Sequence, residues 1–114
     1  PAGYVLGAPF GYHADLAAHD PTTTAARLGL PTLVLQGSRD YQVTLDDFAR
    51  WRAALTDKPF ACLKVYDGLD HLFRRGSGPS GPADYDLALP IEAQVIDDIA
   101  AWIRSARCPD AAAP

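Results

Sequence analysis

Two short apolar runs separated by an amphipathic segment constrain the fold of this chain more than any other feature. The first run, Thr32 to Gln36, is almost continuously apolar and is followed by a glycine, which is typical of a parallel strand buried on both faces. The second run, Phe60 to Tyr66, alternates more strongly and indicates a strand closer to a sheet edge. A strand, helix, strand order requires a crossover, so we expect two parallel strands with a right-handed connection.

Two helices are predicted beside these strands. Thr44, followed three positions later by Asp47, resembles a capping box, and the helix that begins there should stop near Asp57, before Pro59. The last helix is predicted by one apolar stripe, with Asp97, Asp98 and Arg104 off it; the stripe consists of Ile91, Val95, Ile96, Ile99, Trp102 and Ile103.

The remaining segments have neither period. Residues 1–30 are interpreted as a connection or cap segment with one short helix, capped by Asp20 or a threonine and ending at Gly29. Residues 31–107 would form the strand–helix–strand–helix part, within which 74–90 is a long loop rich in glycine and proline. Residues 108–114 are predicted to be a disordered tail.

Composition excludes several classes of protein. The chain has 114 residues, of which 48% are hydrophobic and 21% charged, so it forms one globular domain at most. A net charge of -4 with mixed signs gives no positive stripe for nucleic acid, and no apolar run approaches the roughly 18 residues that span a membrane. Cys62 and Cys108 lack CxxC spacing and are interpreted as structural. So few cysteines slightly favour a reducing cytosol, but secreted enzymes with few cysteines are also common. We expect neither a metal nor a cofactor.

Two ionisable residues follow the two strands. Asp40 lies four residues after Gln36, and His71 follows the second strand. The carboxyl ends of parallel strands converge on one crevice, so these side chains should come within reach of each other if the strands are neighbours. A carboxylate there could fix the imidazole tautomer and stabilise the imidazolium that forms when the ring accepts a proton.

Other interpretations of these residues remain open. Asp40 could cap the following helix or close the turn after Gly37, and His71 could be bonded to a nearby main-chain carbonyl. Asp70 is interpreted as a turn residue. Arg74 and Arg75 could attract an anionic substrate, although a solvated loop is the commoner role for arginines at such positions.

Three segments in order carry a resemblance to a known family: Pro31 to Val43, Tyr66 to Phe73, and Val95 to Ile103. Together they resemble the carboxyl-terminal end of an α/β-hydrolase, and in particular the branch related to dienelactone hydrolases and serine-peptidase-like esterases. The resemblance implies a three-layer α/β fold, a catalytic acid at Asp40, a catalytic base at His71, and a small-molecule ester or amide substrate.

The nucleophile that this resemblance requires is not found in the chain. In the superfamily it is a serine, or a cysteine or aspartate in related branches, and it precedes the acid and the histidine; the serine lies in a G-x-S-x-G turn between a strand and a helix. None of the four serines has that context: Ser38, Ser77, Ser80 and Ser105. Because the chain also opens at Pro1 and has no methionine, we expect a fragment of a longer enzyme, inactive alone. The alternative is a non-catalytic α/β module for interaction or small-molecule binding.

Overall fold

A computed structural model of the chain describes residues 3–5 and 7–109. In chain order it contains β1 (Tyr4–Val5), β2 (Ala8–Pro9), α1 (Phe10–Ala18), α2 (Pro21–Leu28) and β3 (Thr32–Gly37). These are followed by α3 (Leu45–Leu55), β4 (Ala61–Tyr66), a 3-10 turn (Pro82–Asp86) and α4 (Ala93–Ser105). The architecture is mixed α/β with a small parallel sheet, as the sequence predicts.

The parallel pair of β3 and β4 organises the fold. The strands are in register from Thr32 opposite Ala61 to Gly37 opposite Tyr66, so both end at the same edge of the sheet. The crossover helix α3 begins where the sequence predicts, since the Thr44 N–H donates to the Asp47 carboxylate at 2.9 Å. The predicted positions of both strands and of this helix are confirmed to within one or two residues.

The final helix differs from the prediction in which side it buries. Val95 is 2% exposed and Asp98 only 8%, whereas Ile96 and Ile103 of the expected apolar stripe are 54% and 72% exposed. Ile91 precedes the helix and pairs in an isolated bridge with Arg74. The helix therefore turns its Val95–Asp98 face inward, because Asp98 accepts hydrogen bonds from side chains of β4.

Those partners lie on one face of β4. Lys64 Nζ and the Tyr66 hydroxyl each donate to Asp98 Oδ2 at 2.6 Å. Alternation along a strand places Cys62 on the same face, and Cys62 forms a disulfide with Cys108 beyond the end of α4. The two cysteines are structural in this direct sense, and α4 is held on β4 in its middle by Asp98 and beyond its carboxyl end by the disulfide.

The amino-terminal segment contains more regular structure than its sequence indicates. Asp20 caps α2 by accepting from the main chain of Thr22 and Thr23, and the helix ends at Gly29 with φ 65°. The helix α1 and the short hairpin of β1 and β2 were not predicted, and α1 buries no residue. Part of the predicted disordered tail, residues 110–114, lies outside the described residues.

Within the described ranges, no helix has the length and apolar character to cross a membrane.

Candidate active site

Asp40 and His71 meet at the edge where β3 and β4 both end. His71 Nδ1 lies 2.8 Å from Asp40 Oδ2, and the side chains are 37% and 6% exposed, respectively. The structure thus brings together the two residues that the sequence singled out, with the carboxylate buried and the imidazole partly open to solvent. Among the described residues, no group of His, Cys, Asp and Glu is arranged to hold a metal ion.

The Asp40 carboxylate is held by four donors. Its Oδ1 accepts from the main-chain N–H groups of Gln42 and Val43 at 2.9 and 3.0 Å. Its Oδ2 accepts from Gln36 Nε2 at 3.3 Å and faces His71. Asp40 therefore closes the turn after β3, as one interpretation of the sequence proposed, and contacts the imidazole at the same time.

This environment keeps Asp40 ionised. Burial acts to raise the pKa of the carboxyl, but the N–H groups of Val43 and Gln42, together with His71, outweigh burial and lower the pKa from 3.8. An ionised carboxylate can only accept hydrogen bonds, so the proton of the 2.8 Å contact belongs on His71 Nδ1. A neutral ring then has its Nε2 free to accept a proton, which is the geometry of a general base.

Gln36, at the end of β3, supports the turn that carries Asp40, residues 38–43, which we call the acid turn. The side chain belongs to a residue that is 6% exposed, and its Nε2 also donates to the Val43 carbonyl at 2.7 Å. The sequence pattern identifies Gln36 only as the end of a strand. Its polar side chain in an otherwise apolar run was the signal that could have marked it.

Hydrogen bonds join the acid turn to the end of β4 and to the loop that follows it and carries His71, the histidine loop. The main-chain N–H of Arg39 donates to the Leu69 carbonyl at 2.8 Å, and that of Ser38 donates to the Tyr66 carbonyl at 2.9 Å. The Ser38 hydroxyl accepts from the Gly68 N–H at 2.9 Å. The Ser38 hydroxyl also donates to Asp67 Oδ1 at 2.9 Å, so its hydrogen bonds tie the two segments together.

The other two histidines bond locally to the main chain and take no part in this contact. His13 Nε2 contacts the Val5 carbonyl and His19 Nδ1 contacts the Asp15 carbonyl, both local main-chain bonds.

Arg74, expected in a solvated loop, is only 5% exposed and is paired with Asp70, which is 4% exposed. Asp70 does shape the turn, because its Oδ1 accepts from the Leu72 N–H, but it is also half of a buried ion pair.

Comparisons with known proteins relate the chain to an esterase. It is 41% identical over 103 residues to Esterase EstD of Thermotoga maritima, a match that covers 90% of this chain and 25% of the relative. The chain therefore spans about a quarter of the length of the curated relative it matches. No family model matches the chain, and no solved structure matches it. The similarity supports an esterase-type hydrolase and does not reach the dienelactone hydrolase branch.

Proposed function

We propose that this chain is the carboxyl-terminal part of an α/β-hydrolase that cleaves esters, in which Asp40 is the catalytic acid and His71 the general base. The observation that carries the proposal is the 2.8 Å contact between these side chains at the shared end of two parallel strands. The similarity to a curated esterase agrees with it.

The proposed mechanism places the nucleophile in a part of the parent enzyme outside this chain. His71 Nε2 removes the proton of that nucleophile as it attacks the ester carbonyl, and it later returns the proton to the leaving alcohol. Asp40 holds the ring in the required tautomer and stabilises the imidazolium. The oxyanion hole would also come from outside the chain, so we expect no ester hydrolysis by these residues alone.

A three-layer architecture, with helices on both faces of the sheet, is part of the same proposal. Asp98 of α4 binds side chains on the Lys64 face of β4, while α3 residues such as Phe48 and Ala49 line a cleft with Val65. Successive strand residues point to opposite faces, so Val65 belongs to the face opposite Lys64. Helices on both sides of the sheet support this layering, and the relation to the dienelactone hydrolase branch remains part of the proposal.

The test uses the full-length parent enzyme and an activated ester such as p-nitrophenyl acetate. Asp40→Asn and His71→Gln should each lower kcat by about 10³- to 10⁴-fold, because the base loses its tautomer in one variant and is removed in the other. The control is Asp97→Asn, which changes an exposed aspartate of α4 away from the site and should leave kcat unaltered.

A covalent phosphonate probe provides a second readout. The wild-type protein should be labelled at a residue upstream of this chain, and both site variants should react much more slowly. A parent protein that neither hydrolyses activated esters nor reacts with the probe would support the non-catalytic α/β module instead.

A further inference from the structure

Arg74 makes a buried, two-pronged ion pair beside the proposed base. Its Nε and Nη2 donate to Asp70 Oδ2 at 3.0 and 2.8 Å, and the two side chains are each 6% exposed. Burial acts to raise the pKa of Asp70, but hydrogen bonds from Arg74 and Leu72 outweigh it, so the pKa lies below 3.8. Two guanidinium donors converge on Oδ2 while Oδ1 accepts from the main chain, so the pair restrains both side chains.

His71 lies inside the short loop that this pair closes. The Asp70 N–H donates to the Arg74 carbonyl at 3.0 Å, and the Phe73 N–H donates to the Asp70 carbonyl at 3.0 Å. Asp70 Oδ1 accepts from the Arg74 N–H at 3.0 Å, so main-chain and side-chain bonds tie together the two residues that flank the loop. The position of the imidazole therefore depends on a loop clamped at both ends.

The loop holds its backbone in an unfavourable conformation. Phe73 has φ 55°, in the left-handed region that non-glycine residues rarely adopt. Such a residue costs on the order of 1 kcal/mol and persists only when its surroundings hold it. The Phe73 ring packs edge-on against Tyr66 at 5.9 Å, and Arg74 holds the next position.

The remaining Arg74 donors connect this loop to the segment that contacts the acid turn. Nη1 donates to the Leu87 carbonyl at 3.0 Å and Nη2 to the Asp84 carbonyl at 2.8 Å. The same segment reaches the acid side, where the Tyr85 hydroxyl bonds to Gln42, directly after Asp40 and Tyr41. The Asp84 carboxylate lies 3.5 Å from Arg39 of the acid turn. Arg74 therefore connects the histidine loop to a segment, residues 84–87, that contacts the acid turn.

We propose that Arg74 is a positioning residue for His71: through Asp70 and the 84–87 segment it sets the placement of the imidazole on the Asp40 carboxylate. This inference rests on the proposed hydrolase function, in which the position of the base controls the chemical step. Lysine cannot replace the fork, because its single ammonium cannot reach the carboxylate and both carbonyls in the same plane.

The experiment compares three variants of the full-length enzyme. Arg74→Met keeps the apolar stem and removes the fork, Arg74→Lys keeps the charge, and Arg75→Met is the matched control. Arg75 is the adjacent arginine, with a side chain that is 66% exposed and paired to Glu92, outside the loop of the base. We expect kcat to fall about 10- to 100-fold in Arg74→Met with little change in KM, because a small displacement of the base affects the chemical step. Arg74→Lys should be intermediate, and Arg75→Met should match the wild type.

A second readout follows His71 without catalysis. The low-field proton resonance of its Nδ1–H, identified by its loss in His71→Gln, should be present in the wild type and in Arg75→Met and weakened or shifted in both Arg74 variants. A purely structural role would lower the free energy of unfolding but leave kcat and this resonance unaltered in protein that is still folded.

The outcomes separate the two proposals. Folded Arg74→Met with the kcat and His71 resonance of the wild type would overturn the positioning role. Should Arg74→Met fail to fold, Arg74→Lys decides by the same two readouts, and wild-type values there also overturn it. A parent protein inactive on esters whose His71 resonance still depends on Arg74 would refute the hydrolase function while the positioning of His71 on Asp40 stands.

Discussion

At the scale of single residues, Gly37 determines how closely the acid turn and the histidine loop approach each other. A Cβ atom at this position would lie 2.4 Å from the Leu69 carbonyl oxygen and 2.6 Å from that of Asp70. Both obstacles are main-chain atoms, so neither can move aside as a flexible side chain would. The glycine at the end of β3 is therefore required by packing against the loop that carries His71.

Gly37→Ala should therefore displace the histidine loop. We expect a loss of about 1–3 kcal/mol in the free energy of unfolding, as for other insertions into packed sites, and a lower kcat with KM little changed. Denaturant unfolding and ester hydrolysis by the proposed full-length enzyme measure the two effects. Gly81→Ala is the control, because no atom lies within 4 Å of a Cβ there and its φ is -164°. Equal stability of the two variants would contradict this account.

The sequence predicts Asp40 and His71 but not the residues that hold them. Each of the pair follows an apolar run, and parallel strands bring such positions to one edge, so local pattern and topology suffice. Arg74 gives no such signal, because two of its acceptors are main-chain carbonyls of Asp84 and Leu87 that any residue would offer. The sequence alone does not distinguish a buried arginine from a solvated one here, because the burial of Arg74 depends on where the chain places residues 84–87.

At the scale of elements, the contact between β4 and α4 depends on a buried polar cluster. Asp98 Oδ2 accepts from Lys64 and Tyr66, and Oδ1 accepts from Gln94 at 2.8 Å. Burial acts to raise the pKa of Asp98, but the hydrogen bonds from Lys64, Tyr66 and Gln94 outweigh it and lower the pKa from 3.8. Burial and the nearby Asp98 carboxylate also raise the pKa of Tyr66, so its hydroxyl remains a donor.

Asp98→Asn should destabilise the protein by about 3 kcal/mol at neutral pH, because it removes one charge of a buried pair. A carboxyl whose pKa is lowered by folding stabilises the protein above its unfolded pKa, here near 3.8, and this contribution disappears as the pH falls through the lower folded value. The stability difference between wild type and variant should therefore shrink on acidification below that pH. Asp97→Asn, at the exposed neighbouring position, is the control for chemical denaturation across pH, and a pH-independent difference for Asp98→Asn would count against the ion pair.

Elements with strong local signals are predicted well, and those without them are not. The strands β3 and β4 and the helix α3 follow from apolar runs and a capping box that lie entirely within the segment. The inward face of α4 does not, because Asp98 is buried only by virtue of Lys64 and Tyr66, more than thirty positions earlier. The hydrophobic stripe alone predicts that the isoleucine face of α4 is buried, whereas the structure leaves that face exposed.

At the scale of the whole molecule, the chain exposes more surface than a compact protein of its length. Its accessible surface is 8036 Å², whereas a monomer of this size exposes about 6,100 Å². The radius of gyration is 16.4 Å, against about 13 Å for a compact domain. The excess includes apolar side chains on the outer face of α4, where Ile96, Ile99 and Ile103 are 54%, 37% and 72% exposed.

The 114-residue chain on its own should therefore self-associate. No described strand pairs with β3 on the side away from β4, and an unpaired apolar strand favours pairing between molecules. We expect oligomers in size-exclusion chromatography with light scattering, together with binding of a hydrophobic dye that the proposed full-length enzyme should not bind. Ile103→Lys should reduce both signals, while Ala101→Lys adds the same charge to another face of α4 and should not. A monodisperse wild-type monomer without dye binding would mean that this exposed surface is tolerated in water, and the proposed packing against the rest of a hydrolase would lose that support.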